Sequence, residues 1–275
     1  MAFFKLVKMT STGARIGMGM VLITMLSAVL APVIAPYEEA EVVADVWLPS
    51  GEGHILGTDQ LGRDLFTRML YGARNTIAIA LLITFLAFLV GVIGGLLAAN
   101  VGGWVDMLLS RIVDVFMAFP ALILSLMVLS IVGSSIPVLI VVIALLDSTK
   151  VYRLARALAM DIEVMEFVEA ARLSGEGIWW IIIKEVLPNA MPALIAEFGL
   201  RFCFIFLFIS ALSFLGLGIQ PPTADWGSMV RENAGAISFD IMTPLWPAGA
   251  IAFLTIGINL IVDWFLHRSS QIRAQ

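Results

Sequence analysis

Apolar positions along this chain fall into long unbroken blocks. They show neither the period-two alternation of a half-buried strand nor the single stripe of a surface helix. A helix that crosses lipid needs about 20 mostly apolar residues, since only helices and closed barrels pair every backbone group there. Six blocks meet or approach that length: residues 16–35, 76–99, 115–132 (beginning near Met107), 133–146, 202–219 (extended by 193–201) and 241–262. Pro120 and Pro137 are expected to bend the third and fourth spans. Gly91, Gly94 and Gly95 are expected to let the second pack closely on a neighbour.

The first block has two readings. Lys5 and Lys8 precede it and small residues with prolines follow, as in a cleaved signal peptide. Its length is that of a signal anchor, and it is read as the first span.

Lys and Arg in the intervening segments set the orientation. With the N-terminus inside, eleven lie on the inner side: Lys5, Lys8, Arg15, Arg111, Lys150, Arg153, Arg156, Arg172, Lys184, Arg268 and Arg273. Four lie outside: Arg63, Arg68, Arg74 and Arg231. Both termini are therefore expected in the cytoplasm. The organisation that follows is a cytoplasmic tail (1–15), span one (16–35), an outer loop (36–75), a core holding spans two to six (76–265) and a cytoplasmic tail (266–275). Residues 220–240 form a second outer segment.

The outer loop carries seven acids, Glu38, Glu39, Glu41, Asp45, Glu52, Asp59 and Asp64. Near its end Leu61, Leu65, Met69 and Leu70 can share one face of a short helix, with Arg63 and Arg68 off that face and Asp59 as N-cap. The helix is read as lying in the outer interface. A docking surface for an external partner is the other reading.

Composition agrees with a lipid solvent. Sixty per cent of the 275 residues are apolar and 13% are charged, with a mean hydropathy of +1.00. That is too little polar surface for a soluble domain of this size. An ordinary globular enzyme, a nucleic-acid binder and a disordered chain are all excluded. The net charge of −5 comes without any basic block, so no nucleic-acid partner is expected. One cysteine, Cys203, and two distant histidines, His54 and His267, offer neither a disulfide nor a metal cluster. No cofactor is expected.

Chemistry concentrates in the inner segment 147–192. Arg153 and Arg156 can share a helix face where span four leaves the membrane. The run from Glu166 to Leu173 favours helix, and Gly175 is placed to end it. A second apolar stretch, 178–186, leads to Leu187-Pro188, where a helix is expected to stop or kink. Short helix, glycine turn, short helix: this is a protruding knob.

The knob resembles a known family. Glu169-Ala170-Ala171, then Gly175 after three intervening residues, then Leu187-Pro188, are similar to the EAA loop in membrane subunits of binding-protein-dependent ABC importers. Further positions resemble the peptide-type branch. They are Gly57-Thr58-Asp59-Gln60-Leu61-Gly62-Arg63-Asp64, Arg68, Gly72-Ala73-Arg74, Leu212 to Gly218, Gln220-Pro221-Pro222-Thr223, Trp226-Gly227, Asn259 and Asp263. The chain is identified as a member of the C-type permeases of dipeptide, oligopeptide and nickel importers.

The resemblance implies an all-α inner-membrane protein with six transmembrane helices of the type I ABC importer permease fold. The loop at about 161–192 would be a cytoplasmic coupling helix seated in an ATP-binding subunit. Implied partners are a second, B-type permease, two ATP-binding subunits and an extracytoplasmic solute-binding protein. Cargo would be di- or oligopeptides, with nickel or another small solute as the alternative. Glu185 stands where such loops usually carry His or Ile. Ser148 and Val151 replace a usual Trp and Tyr, and Asp147 and Lys150 add charge.

Two other classes have less support in the residues. No Gly-x-x-x-x-Gly-Lys-Ser/Thr loop occurs, since none of Lys5, Lys8, Lys150 and Lys184 follows a glycine. Energy must then come from a separate subunit or an ion gradient. A stand-alone secondary transporter or channel would need intramembrane charges. Asp114, Asp147 with Lys150, and Glu197 with Arg201 are the candidates. Glu197 and Arg201 are read as a structural ion pair near the inner end of span five. A membrane-embedded hydrolase lacks a Gly-x-Ser-x-Gly elbow and a His-bearing dyad, so the chain itself is not expected to be an enzyme.

Overall fold

A computed structural model describes residues 12–51, 53–239 and 241–273, with side chains through Leu266. Lys5, Lys8, Glu52 and the side chains of His267, Arg268 and Arg273 lie outside the described part. The helices are α1 (Thr12–Ile34), α2 (Leu65–Val101), α3 (Gly103–Met117), α4 (Ala121–Val132), α5 (Ile136–Glu163), α6 (Glu166–Leu173), α7 (Ile178–Phe214), α8 (Trp226–Glu232) and α9 (Leu245–Arg273). No strand forms among the described residues, only isolated bridges between Val42 and Arg63 and between Thr58 and Asp64.

Helices α1, α2, α7 and α9 are long and apolar enough to cross a membrane. The pair α3 and α4 passes the same criterion together, but is bent by 85° between Met117 and Ala121. Pro120 explains the break, because it has no N–H to give the preceding turn. Pro137 does not bend its helix. It is the second residue of α5, where a missing N–H would have no intrahelical partner anyway. Helix α5 has 28 residues and carries no charge before Asp147, its twelfth.

The chain forms two compact units. The first comprises the described residues up to Leu81, Leu129–Leu139, and those from Phe202 on. In it α1 lies against α9. A Cβ on Gly17 would stand 2.5 Å from the Gly257 carbonyl oxygen, so only glycine permits that approach.

The same unit corrects the expected outer helix. Leu65, Met69 and Leu70 belong to the first turns of the 37-residue α2, and Leu61 stays in the preceding loop. Asp64, not Asp59, caps it: Asp64 Oδ2 accepts the Thr67 N–H at 2.8 Å. Asp59 is fully buried and accepts from the Leu61 and Arg63 N–H groups and from Arg63 Nε, at 2.8, 3.0 and 2.6 Å. Arg63 and Arg68 both reach Glu232 Oε2, at 3.0 and 3.4 Å. Two cations and two anions thus neutralise one another away from water, as buried charges must. His54 Nδ1 lies 2.9 Å from Asp64 Oδ1. Glu39 Oε1 accepts from Asn75 Nδ2 and from the Ala224 N–H. The 36–64 loop and the 220–239 segment are thereby clamped around the start of α2.

Asp225 caps α8. Its carboxylate accepts the Ser228 N–H and the Thr76 hydroxyl, each at 2.8 Å. Burial pushes this carboxyl above the usual aspartate range, against the hydrogen bonds from Ser228 and Thr76 that pull it down.

The second unit comprises Leu82–Val128 and Ile140–Arg201. Here α2 meets α5 through glycine. A Cβ on Gly91 would lie 2.6 Å from Val151 Cβ, and one on Gly95 2.6 Å from the Tyr152 carbonyl oxygen. At Gly94 the nearest atom is a Tyr152 ring carbon at 3.3 Å, so Gly91 and Gly95 make the close contact. Helix α3 is tied to α5 by Arg156 Nη2 to Asp106 Oδ2 at 2.6 Å, Arg153 to Asp114 at 3.0 Å, and Ser110 to Tyr152 at 2.9 Å.

Candidate coupling loop and membrane charges

Helix α6 starts where the chain leaves the extended conformation at Met165, with φ −80° and ψ 144°. Glu166 and Glu169 occupy its first turn and Arg172 its last, which is the order the helix dipole favours. Arg172 also pairs with Glu163 at 2.5 Å. The end is a complete Schellman motif. The Gly175 N–H bonds to the Arg172 carbonyl at 3.0 Å and the Glu176 N–H to the Ala171 carbonyl at 3.2 Å. Gly175 has φ +84°, and a Cβ there would meet nothing within 4 Å. The glycine serves the dihedral, not the space.

The two faces of α6 differ. Val168 and Ala171 are buried in a core with Ile162, Ile181, Ile182 and Val186. Glu169, Ala170, Leu173 and Ser174 are exposed, Leu173 at 83%. Of the two alanines in the Glu169-Ala170-Ala171 motif, only Ala170 faces outward. Ala171 is small because it fits the chain's own core.

The expected stop at Leu187-Pro188 does not occur. Helix α7 runs through it, after a π turn at Ile182–Val186. The Leu187 N–H reaches back five residues to the Ile182 carbonyl. This widened turn comes just before Pro188, which has no N–H for the Lys184 carbonyl. Asn189 Nδ2 donates to the Glu185 carbonyl at 2.6 Å. Leu187 rests partly buried on the core that holds α6, and Pro188 is exposed. The second short helix of the expected knob is therefore the first part of a span.

Glu197 and Arg201 do pair, Nε to Oε1 at 2.6 Å. The sequence did not reveal their link to α5. Arg201 Nη1 lies 3.6 Å from Asp147 Oδ1, which also receives Lys150 Nζ at 3.1 Å. Asp147 is 3% exposed, and its other oxygen, Oδ2, has no hydrogen-bond partner. Two pairs read separately from spacing are one four-membered network. Charge alone, 54 residues apart in sequence, carried no signal of that contact.

Residues 91–271 match the family described as binding-protein-dependent transport system inner membrane component. The chain belongs to this family. It is 35% identical to a dipeptide transport system permease protein, DppC, of Alkalihalophilus pseudofirmus, over 89% of this chain and 82% of that one. It is 34% identical to the di/tripeptide transport system permease protein DppC of Pseudomonas aeruginosa, over 91% and 85% of the two chains. A glutathione transport system permease protein, GsiD, of Pectobacterium atrosepticum is 31% identical over 88% and 81%. As an inner membrane component of a transport system, the chain is a permease subunit held in the membrane by its apolar helices. The family match covers the α6 knob, the π turn and the charge network. The buried clamp of Asp59, Arg63 and Arg68 precedes it.

Proposed function

We propose that this permease is one half of the pore of an importer for di- and oligopeptides. The observation that carries this reading is similarity along about nine-tenths of the chain to permeases named for dipeptides, di/tripeptides and glutathione. The other half is a B-type permease. Two ATP-binding subunits supply energy, and a solute-binding protein delivers cargo from outside. The chain crosses the inner membrane six times, by α1, α2, the bent α3–α4 pair, α5, α7 and α9, with both termini in the cytoplasm. Clamping of 36–64 against 220–239 supports that topology, because both segments are outer ones in it.

Helix α6, with Glu169, Ala170 and Gly175, enters a groove of the ATP-binding subunit. Ala171 and Leu187 hold it from within, and Pro188 stands exposed on the span behind it. An ATPase can drive a permease only through contacts that differ between its two states. An exposed, rigidly capped helix set on a span provides such a contact.

The test is uptake of a labelled dipeptide by the reconstituted whole complex. Uptake should require ATP and loaded binding protein. Uptake by this chain alone, driven by a proton or sodium gradient, would replace the reading with a secondary transporter. For topology, an impermeant thiol reagent should label Ser50→Cys in intact cells and Ser174→Cys only after lysis. Labelling of Ser174→Cys in intact cells would overturn the orientation.

A further inference from the structure

The charge network of α5 and α7 sits far from either helix end. Asp147 is eleven residues beyond Ile136, the start of α5, or about 16 Å along the axis at 1.5 Å per residue. Arg201 is thirteen residues before Phe214, the end of α7, or about 20 Å by the same rise. The hydrocarbon core is about 30 Å thick. In the six-span topology proposed above these ends face outward, and both helices then bring charge to mid-depth. The uncharged stretch of each is too short to carry its charges to the inner interface.

Charges at that depth are costly, and buried ion pairs rarely repay their desolvation. A pair that only joined two helices would need one acid and one base. Here there are two of each. Asp147 keeps an unpartnered oxygen while 3% exposed, so the site has an acceptor that its own side chains leave unfilled. Arg201 approaches Asp147 at 3.6 Å, longer than a hydrogen bond. Arg201, Glu197 and Lys150 keep 21, 18 and 29% of their surface exposed. The network is buried at Asp147 and open at its other three members.

A free peptide carries one ammonium and one carboxylate, which is the complement of this arrangement. We infer that Asp147, Lys150, Glu197 and Arg201 form a relay site for the two charged ends of a zwitterionic peptide in transit. Arg201, with Lys150, takes the terminal carboxylate, for which a planar guanidinium is suited. Asp147, with Glu197, takes the terminal ammonium. Passing cargo exchanges one set of ion pairs for another, so neither end crosses the core unpaired. This rests on the peptide reading above.

The experiment uses the whole reconstituted complex and three probes: a free dipeptide, its N-acetyl form and its C-terminal amide. The binding protein is the same in every arm, so its own discrimination cancels. Relative to the parent complex, Arg201→Gln should lower the preference for free peptide over amide about tenfold, the value of one hydrogen bond to a charged group. Its preference over the N-acetyl form should not move. Asp147→Asn should do the reverse. Lys150→Gln, at the open rim, should weaken the carboxylate preference by a smaller factor and covers the case in which a deeper variant fails to assemble. Unchanged preferences in all variants that still transport would overturn the inference, as would loss of the second permease from Lys150→Gln complexes. So would full rescue, with parental preferences, by the exchange Glu197→Arg with Arg201→Glu, since only a structural pair survives reversal. If the parent complex takes up no peptide at all, the peptide reading itself fails.

Discussion

Arg68 and Glu232 are 164 residues apart in sequence and meet at 3.4 Å, with their side chains 1% and 5% exposed. Arg68 also lies 3.3 Å from Asp59. One arginine in the second turn of α2 therefore answers two buried carboxylates, one in the loop before it and one at the end of α8. The first outer loop, with its seven acids, and the segment around α8 are closed on each other by charge.

Removing Arg68 should be costly for that reason. Arg68→Leu leaves Asp59 and Glu232 buried with one cation less, and breaking a buried pair from one side typically costs about 3–5 kcal/mol. The double variant Arg68→Leu with Glu232→Leu removes one charge of each sign and should recover part of that loss. Thermal unfolding of the detergent-solubilised complex checks this. A double variant as unstable as the sum of both singles would show that the contact is not an energetic pair.

Asp225 gives a pH dependence of definite sign. Its folded-state carboxyl is raised by burial, so its contribution is fully present at low pH and is lost as pH rises through the raised value. Asp225→Asn keeps a carbonyl oxygen for the Ser228 N–H and offers an amide to the Thr76 hydroxyl, so the cap survives. The melting temperature of Asp225→Asn minus that of the parent should therefore increase from acid toward neutral pH. A difference that is flat or falls with pH would mean that Asp225 is stabilised as the anion.

Much of this fold was legible in the sequence, and what escaped has identifiable causes. Uncharged runs pointed to the four long apolar helices and to the bent α3–α4 pair, because lipid leaves a helix no other way to pair its backbone. Glycine at 175 marked the end of α6, since the motif needs φ above zero there. The 202–219 block overran the end of α7 at Phe214, because the turn after it, Leu215 to Ile219, is as uncharged and apolar as the span. The start of α2 was misplaced because Arg63 and Arg68 look like surface residues until their partners are known. The partners, Glu232 for the clamp and Arg201 for Asp147, lie in other helices, and no local spacing reports such a contact. Nor does spacing tell that a π turn will carry α7 past Pro188.

Gly175 allows a graded test of the α6 end. Its φ of +84° costs an ordinary L-residue roughly 1–2 kcal/mol, and asparagine less. Within this chain a side chain there meets open space, so the chain's own packing adds nothing to the strain. ATP hydrolysis stimulated by loaded binding protein should fall in the order Gly, Gly175→Asn, Gly175→Ala, Gly175→Val, while the amount of complex in the membrane changes little. If Gly175→Ala and Gly175→Val matched the parent, the left-handed cap would have no part in transmission.

Ala170 and Ala171 are neighbours with opposite exposure, and they separate folding from coupling. Ala171 stands at 9% exposure beside Val168 and Ile181 in the chain's own core. Tryptophan there must displace those side chains, and overpacking of this kind typically costs about 1–3 kcal/mol and sometimes more. Ala171→Trp should therefore lower the amount and the melting temperature of the purified complex. Ala170 is exposed, and substitution at such a position changes stability by only about 0.5 kcal/mol. Ala170→Trp should leave the permease pair intact. It should hinder seating of α6 in an ATP-binding subunit, so transport falls and the ATPase separates more readily on purification. Co-purification of the ATP-binding subunits, measured beside the melting temperature of the permease pair, decides the matter. An Ala170→Trp complex that keeps its ATPase and full transport would remove α6 from the contact.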